Sequence, residues 1–185
     1  MKKRTFIPIL IASILLILSV QSCGPSYSEE IHQIDSMVII LKEKSAQLQE
    51  FPVEMVNAKN DTFLSIYAAI DTVYNFSIRD SNFHTVNTFI NLQKPLRRHK
   101  ERGAKLMDDV DYQIQQLESL RKDIKAKSRS QEEIEKYLSL ESAECEKVVQ
   151  FATAYYNMMK SGIETFDSLS PQIKELVILY STQKK

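Results

Sequence analysis

The most regular hydrophobic pattern in the chain lies in residues 131–169, which read QEEIEKYLSLESAECEKVVQFATAYYNMMKSGIETFDSL. Mostly apolar positions recur alternately four and three residues apart, which is the spacing of a helix with one buried seam. Val149, Phe151 and Tyr156 flank this seam and widen it, so the helix is expected to pack against more than one neighbour. The seam consists of Ile134, Leu138, Glu141, Cys145, Val148, Ala152, Tyr155, Met159, Gly162, Phe166 and Leu169.

Two preceding segments, residues 28–78 and 83–127, have a similar pattern and a similar length of about forty to fifty residues. Turns are expected at residues 79–82 and 127–130, and Ser130 with Glu133 forms a capping box that opens the third helix. Ser170-Pro171 is expected to end that helix and start a short one.

The matching lengths predict an all-α fold: an elongated antiparallel bundle of three long helices plus a short C-terminal helix. Pro52 and Pro95 interrupt the first two helices, and a proline either kinks a helix or opens a new one at its first turn. Kinks near Pro52 and Pro95 keep three long helices. A full turn at Pro52 would give a four-helix arrangement instead.

In this bundle, residues 63–78, 83–96 and 151–169 share one end, which is rich in aromatic side chains. Aromatic residues at helical spacing usually form core, and the alternative is that tyrosines with polar tips line a cleft or meet a partner. Pro95 and Gly162 are expected at about the same level of the bundle. The candidate binding surface at this end is Tyr67, Tyr74, Phe89, Tyr155, Tyr156 and Phe166.

The opposite end is aliphatic inside and charged outside. Basic residues close the second long segment and glutamates open the third, so ion pairs between these two helices are expected to select neighbours within the bundle. Glu141 falls on the buried seam and is interpreted as an interior polar residue that fixes register. A second basic cluster is either a solvated helix face or a surface for an anionic partner or phospholipid head groups; it comprises Lys94, Arg97, Arg98, Lys100, Arg102 and Lys105.

The first residues of the chain have the pattern of a secretory signal peptide. Lys2, Lys3 and Arg4 precede an apolar run from Phe6 to Val20, which at about fifteen residues is short for a membrane-spanning helix. The run ends in Val20-Gln21-Ser22-Cys23, which resembles the lipobox of bacterial lipoproteins.

This resemblance implies that the chain is cut before Cys23 and that Cys23 carries the lipid anchor. Several acyl chains on one residue would give stable membrane attachment. The expected organisation is a signal peptide at residues 1–22, a tether at 23–27 and a single helical domain at 28–185. In lipoproteins of the enteric type, an aspartate directly after the cysteine keeps the protein at the inner membrane, so Gly24 at this position favours the outer membrane. Whether the protein faces the periplasm or the cell surface is left open. The alternatives to a lipoprotein are an ordinary signal peptide and an uncleaved anchor.

Composition narrows the possible partners. Removing Lys2, Lys3 and Arg4 from 24 basic residues leaves 21, against 24 acidic residues, so the mature chain is slightly acidic. A nucleic-acid partner is therefore not expected, because it needs a clustered positive surface. With Cys23 lipidated, Cys145 is alone, and it is expected to be a small buried residue.

Catalytic and metal-binding patterns are weak. Glu29 and His32 match half of a di-iron carboxylate signature, but no second Glu-x-x-His is present, and His84 and His99 have no ligand spacing between them. We therefore predict a protein that is not an enzyme, with no catalytic residue, no metal and no cofactor.

The sequence thus predicts a lipid-anchored protein of the cell envelope that acts as a non-enzymatic scaffold or accessory binding module for an unidentified envelope protein. The alternative is a carrier of a small apolar ligand or lipid in the aromatic-rich end. An enclosed apolar cavity near Tyr155 and Phe89 would favour the carrier. An exposed aromatic or charged patch over a solid core would favour the interaction module.

Overall fold

The computed structural model describes residues 27–74 and 81–183, and all regular secondary structure within them is α-helical. The all-α class is confirmed, whereas three kinked helices with a separate short C-terminal helix match only in part. The signal segment, Cys23 and residues 79–80 of the first expected turn lie outside the described residues. The five helices are α1 (Ser28–Gln49), α2 (Val53–Val73), α3 (Phe83–Ile90), α4 (Gln93–Lys125) and α5 (Gln131–Gln183).

These helices form three rods, each antiparallel to the next along the chain, so that the first and third run in the same direction. The first rod is α1 followed by α2, the second is α3 followed by α4, and the third is α5 alone, which contacts all four other helices. At about 1.5 Å per residue α5 spans about 80 Å. The contacts that fix the directions are Asp35–Arg121 and Lys42–Glu118 between α1 and α4, and Phe51–Tyr156 and Tyr74–Tyr180 along α5.

The first rod is interrupted at Pro52. The last amides of α1 turn tightly, since Glu50 and Phe51 donate to carbonyls three residues back, those of Gln47 and Leu48. Pro52 is extended (ψ 141°) and α2 begins directly after it. A residue before proline avoids the helical region, so the interruption follows from the sequence. Here it is a break between two helices rather than a kink in one.

The second rod is nearly continuous. Asn91 and Leu92, between α3 and α4, keep right-handed helical angles (φ −66° and −70°). Pro95 lies in the first turn of α4, where its missing N–H removes no helical bond. A Cβ on Gly162 would lie 3.6 Å from the Pro95 ring, so these two residues share one level of the bundle, as expected.

The third rod does not end at Ser170-Pro171, and this part of the sequence prediction is wrong. Pro171 lies inside α5, which continues to Gln183. Phe166 and Ile173 are both buried, on the same face of the helix before and after the proline. Burial on both sides holds the helix together despite the one lost backbone bond, because tertiary packing overrides local propensity.

The corner between α4 and α5 is built as expected. Ser130 N–H donates to a carboxylate oxygen of Glu133 at 2.9 Å, and the Glu133 amide donates to Ser130 Oγ at 3.3 Å. These reciprocal bonds are the capping box. They lower the pKa of Glu133, because both the amide and the hydroxyl of Ser130 donate to its carboxylate.

The ion pairs differ from the expected pattern. Arg121 binds Asp35 on α1, not a glutamate of α5, and Arg129 binds Asp123 within the corner. The predicted pairing of basic residues of α4 with the glutamates that open α5 is therefore absent from the described residues. Arg121 projects toward α1, since α4 packs against both other rods.

Candidate functional site

The six aromatic residues predicted as a binding surface fall into two groups. Phe89 and Phe166 are buried, with ring centroids 6.2 Å apart, and Tyr74 is buried against Tyr180. These side chains form core at the far end of the bundle. Tyr67 is half-buried and stacks on Phe63 at 5.9 Å.

Tyr155 and Tyr156 lie lower, level with the break at Pro52. Tyr156 is half-buried, packs on Phe51 at 5.5 Å, and donates a hydrogen bond to Glu50 at 3.1 Å. Tyr155 is 8% exposed and contacts α4. The structure therefore does not bring all six aromatic residues together on one surface.

Tyr155 forms a buried polar pair with His99 on α4. Its hydroxyl is hydrogen-bonded to His99 Nδ1, and His99 is only 3% exposed. Gly103 lies directly beside the pair, since a Cβ there would come within 2.8 Å of the Tyr155 hydroxyl and 3.1 Å of the imidazole. The absence of a side chain at Gly103 is what gives the pair room between α4 and α5.

The protonation states follow from burial. Desolvation raises the pKa of Tyr155 to about 12, so its hydroxyl keeps the proton at neutral pH. Burial lowers the pKa of His99, an effect that the main-chain carbonyl of Phe51 partly opposes. A neutral imidazole then accepts a hydrogen bond from the tyrosine hydroxyl at Nδ1 and carries its own proton on Nε2.

Nε2 is the unsatisfied atom of this pair. It is buried and has no hydrogen-bond partner of normal geometry within the described residues, although the Phe51 carbonyl is close enough to favour the charged ring. A buried donor without a full partner costs roughly 1–3 kcal/mol. Native proteins keep few such groups, and each one calls for an explanation.

A cavity of about 390 Å³ lies against this pair, and we call it the His99 pocket. Its walls are mostly apolar, with polar atoms contributed by few residues. It sits where α1 stops and α2 starts, so one wall is non-helical chain. The lining residues are Leu48, Gln49, Phe51, Pro52, Val53, His99, Gly103, Ala104, Met107, Asp108 and Tyr155.

A second cavity of about 360 Å³ opens between α4 and α5, and we call it the Phe151 groove. Phe151 is 67% exposed, so most of its ring is in contact with water. Arg102 and Lys105 flank the groove. It is lined by Arg102, Lys105, Leu106, Asp109, Phe151, Ala154, Tyr155 and Met158.

Two further observations concern chemistry. Within residues 27–74 and 81–183 no group of three or more His, Cys, Asp or Glu side chains is arranged to hold a metal ion. Cys145 is a free, buried thiol, as expected, and burial raises its pKa. Cys23, the predicted lipidation site, lies outside the described residues.

None of the described helices combines the length and the apolar character needed to cross a membrane. Comparison with known proteins gives no relatives either: no family model, no curated protein and no solved structure matches the chain. The two cavities are therefore interpreted from the geometry and chemistry of their own residues.

Sequence reasoning found Tyr155 but missed His99, Gly103 and the α1–α2 break as parts of a site. His99 stands in a run of basic residues, which suggests a surface position. Its helix phase gives a different indication, because Leu96 and Gly103, three residues before and four after it, are also buried. That spacing was the available signal.

Proposed function

We propose that the chain is a lipid-anchored protein of a bacterial cell envelope, held by Cys23, and that its bundle is a non-enzymatic interaction module for another envelope protein. The outer membrane is the favoured location. The observation that supports the interaction module best is Phe151, a large aromatic side chain exposed beside an apolar groove on the longest helix.

Exposure of Phe151 has a cost in the isolated protein. Its ring leaves apolar area in water beside Leu106, Ala154 and Met158, and burial of such area stabilises a complex by about 25 cal/mol per Å². Aromatic side chains that enter a partner's pocket are typical centres of binding energy. The exposed Phe151 ring and the apolar groove beside it therefore have the features of a site that anchors a binding partner.

The rim of the groove indicates the chemistry of the partner. Arg102 and Lys105 line it, and neither forms an ion pair with any described residue. Asp109 is the acidic residue of the rim, so the cations prevail there. We propose a partner segment with an apolar side chain for the groove and carboxylates beside it, since opposite charge favours encounter and register.

The rods set the reach of this module. Tyr156, at the level of the groove, contacts Glu50, which is twenty-two residues along the first rod from Ser28. At 1.5 Å per residue the groove lies about 30 Å from the start of the bundle. With the lipid at Cys23, the three antiparallel helices act as a spacer between the membrane and the partner.

Site-specific crosslinking in intact cells tests the interaction module. The photoreactive residue benzoyl-phenylalanine replaces Phe151 in one strain and Ile178 in another, because Ile178 is an equally exposed apolar residue of the same helix (65%). A single recurrent envelope protein crosslinked from position 151 and not from 178 supports the proposal. Equal products from both positions, or none, would overturn it.

A variant pair sharpens this experiment. Ala154→Trp fills the groove, and Ala68→Trp places the same side chain at an exposed position of α2 outside the groove. Only Ala154→Trp is expected to reduce co-purification of the crosslinked partner. The double reversal Arg102→Glu with Lys105→Glu is expected to weaken it further at low salt, because rim charges act mostly on association rate.

The lipid anchor has its own test. Metabolic labelling with a clickable palmitate analogue is expected to mark the wild-type chain and not Cys23→Ala, while Cys145→Ala keeps the label. The Cys23→Ala protein is also expected to leave the membrane fraction, since stable attachment needs the acyl chains. Label retained by Cys23→Ala would contradict the proposed anchor.

The second candidate function is a carrier of a small apolar ligand or lipid in the aromatic-rich end. Phe63 and Phe89 lie 5.1 Å apart there and Phe89 contacts Phe166, so ring packing itself accounts for these residues. This packing supports the carrier less than the exposed Phe151 supports the interaction module. Lipid in place of a protein partner after the crosslinking experiment would move the carrier to first place.

A further inference from the structure

The His99 pocket lies on the other side of Tyr155 from the Phe151 groove, and it has a different character. It combines an apolar wall, formed chiefly by Leu48, Phe51, Pro52 and Met107, with one buried polar pair at its side. Small-molecule sites commonly have this composition, with many apolar contacts and few polar groups that fix orientation.

Two kinds of hydrogen-bond donor lie at this pocket, beside the side chains of Gln49 and Asp108. Nε2 of His99 carries a proton in the neutral tautomer and has no partner of normal geometry within the described residues. The first main-chain amides of α2, including that of Val53 in the pocket wall, are also left over, since the first bond of that helix is from Val56 to Pro52. Such donors are satisfied by an accepting oxygen.

We infer that the His99 pocket binds a compact, mostly apolar molecule that carries one neutral oxygen able to accept a hydrogen bond, such as a ketone, ester or ether. The inference is independent of the proposed partner groove. It also assigns a ligand position different from the core of stacked rings around Phe89.

Charge around the pocket selects a neutral ligand over an anion. Asp108 lines the pocket, and Glu54 stands in the first turn of α2. Both carboxylates repel an acid placed near the α2 amides, and the apolar wall disfavours a charged group of either sign. A carbonyl or ether oxygen meets the donors without that cost.

The chain between α1 and α2 gives the ligand access to Nε2. This nitrogen has no exposed surface of its own, and the Phe51 carbonyl lies near the ring. Phe51 and Pro52 lie outside regular helix, and the position of Phe51 is held mainly by packing of its buried ring on Tyr156. A shift of this segment allows a ligand oxygen to take the position that the Phe51 carbonyl approaches.

Benzophenone is a suitable probe, because it has two apolar rings, one neutral carbonyl, and photochemistry that attaches it to nearby C–H bonds, including those of methionine. The experiment irradiates the full mature chain in detergent with benzophenone and maps the adducts by mass spectrometry. Saturable labelling of Met107 is expected. Diffuse labelling that does not saturate, or labelling centred on Met158, would overturn the inference.

Two tryptophan variants locate the binding. Ala104 lines the pocket and is exposed, so Ala104→Trp fills the cavity without disturbing the core. We expect it to lower Met107 labelling about tenfold, because the tryptophan side chain occupies the volume that benzophenone needs. Ala68→Trp, at an exposed position of α2 that lines neither the His99 pocket nor the Phe151 groove, is expected to leave labelling unchanged; an equal fall in both variants would contradict a defined pocket.

The role of the oxygen is tested by competition between acetylnaphthalene and ethylnaphthalene, which match in shape and differ in the carbonyl. Acetylnaphthalene is expected to displace benzophenone at about one fifth of the concentration that ethylnaphthalene needs, because one hydrogen bond contributes about that factor to affinity. In His99→Phe this preference is expected to disappear while labelling persists. If His99→Phe fails to fold, the wild-type preference and Ala104→Trp still decide: equal competition by the two naphthalenes would contradict the inferred oxygen contact.

Discussion

The bundle has two halves that fill their interiors differently. The aliphatic half, residues 28–49, 107–125 and 131–150, buries branched side chains in uninterrupted helices. The aromatic half, residues 53–73, 83–96 and 155–183, buries rings, and two of its three rods begin a new helix there. The fully buried residues are Ile34, Leu41, Val110, Gln113, Leu117, Ile124 and Ile134 in the first half, and Phe63, Phe89, Val56, Ile70, Val86, Met159 and Ile173 in the second.

Buried polar groups also occur in the bundle, and an oxygen of Glu30 in the aliphatic half has no hydrogen-bond partner within the described residues. Gln113, which is buried, donates to Glu141 on α5 at 2.8 Å, so the polar residue on the aliphatic seam is satisfied. This agrees with the interpretation of Glu141 as an interior polar residue. At the border with the aromatic half, the His99–Tyr155 pair leaves one donor without a full partner.

The change from one half to the other accounts for the position of the His99 pocket. A regular heptad seam packs the three rods together over the aliphatic half, because apolar residues recur at the period of the supercoil. An open groove of about 570 Å³ between α1 and α5 in this half is lined mostly by polar side chains. At Pro52 the first rod is interrupted between α1 and α2. The His99 pocket opens at that border, and the Phe151 groove lies on the opposite side of Tyr155.

The largest expected effect comes from the aromatic core. Phe89→Ala removes a ring that contacts Phe63 and Phe166 and is fully buried. Such truncations lower the free energy of unfolding by about 3–5 kcal/mol. Urea denaturation measures this loss, and Phe151→Ala, which removes an exposed ring of the same kind, is expected to change stability by less than about 0.5 kcal/mol.

Hydrogen exchange of the Phe89→Ala variant then tests whether the two halves are separate. We expect faster exchange in α2, α3 and the end of α5, and unchanged protection around Leu41 and Leu117. Equal loss of protection in both halves would show one cooperative unit, and the distinction between halves would then apply to packing alone.

The border between the halves is expected to make stability depend on pH. Burial lowers the pKa of His99 in the folded chain below its ordinary value of 6.5, so the unfolded chain binds the proton first as pH falls. The free energy of unfolding that the neutral, buried His99 contributes is fully present above pH 6.5 and is lost as pH falls toward the pKa of His99 in the folded chain. One proton contributes at most about 1.4 kcal/mol per pH unit.

This dependence is measured by urea denaturation between pH 7.5 and about 5 in wild type and His99→Phe. The wild type is expected to lose stability more steeply than the variant. His84→Gln is the control, because His84 is exposed and a substitution there leaves the border intact. Parallel curves for wild type and His99→Phe would contradict a buried neutral imidazole.

The part of the fold that was predictable is the part that local spacing determines. Nine of the eleven seam positions between Ile134 and Leu169 are buried in α5, and the remaining two, Glu141 and Leu169, are half-buried. A heptad is read from one segment without knowledge of its neighbours. The lengths of the segments then indicate antiparallel rods.

The candidate site was less predictable, because it depends on contacts between segments far apart in sequence. Tyr155 was selected for its aromatic ring, but its partner His99 is fifty-six residues away and becomes buried only where Gly103 lets α4 approach α5. Pro171 failed as a helix end for a related reason. The sequence rule for proline is local, whereas the burial of Phe166 and Ile173 is tertiary.

A substitution at the corner between α4 and α5 is expected to change the free energy of unfolding by less than Phe89→Ala or His99→Phe. Ser130→Ala removes the hydroxyl oxygen that accepts from the Glu133 amide. Loss of a capping serine lowers stability by about 1 kcal/mol. Thermal denaturation measures it, and Ser130→Thr, which keeps the hydroxyl, is expected to recover most of the loss; an unchanged Ser130→Ala would show that the corner is held by packing alone.

The smallest expected effect concerns the ion pair between α1 and α4. Arg121 binds Asp35, which raises the pKa of the guanidinium, but both side chains are more than a third exposed and water screens their attraction. Asp35→Asn keeps the shape of the side chain and removes its charge. The denaturation midpoint is expected to fall by at most about 0.3 M urea at low salt, and the difference is expected to vanish at high salt. A larger shift that persists at high salt would show that the aliphatic half depends on this pair for its alignment, and not on its heptad seam.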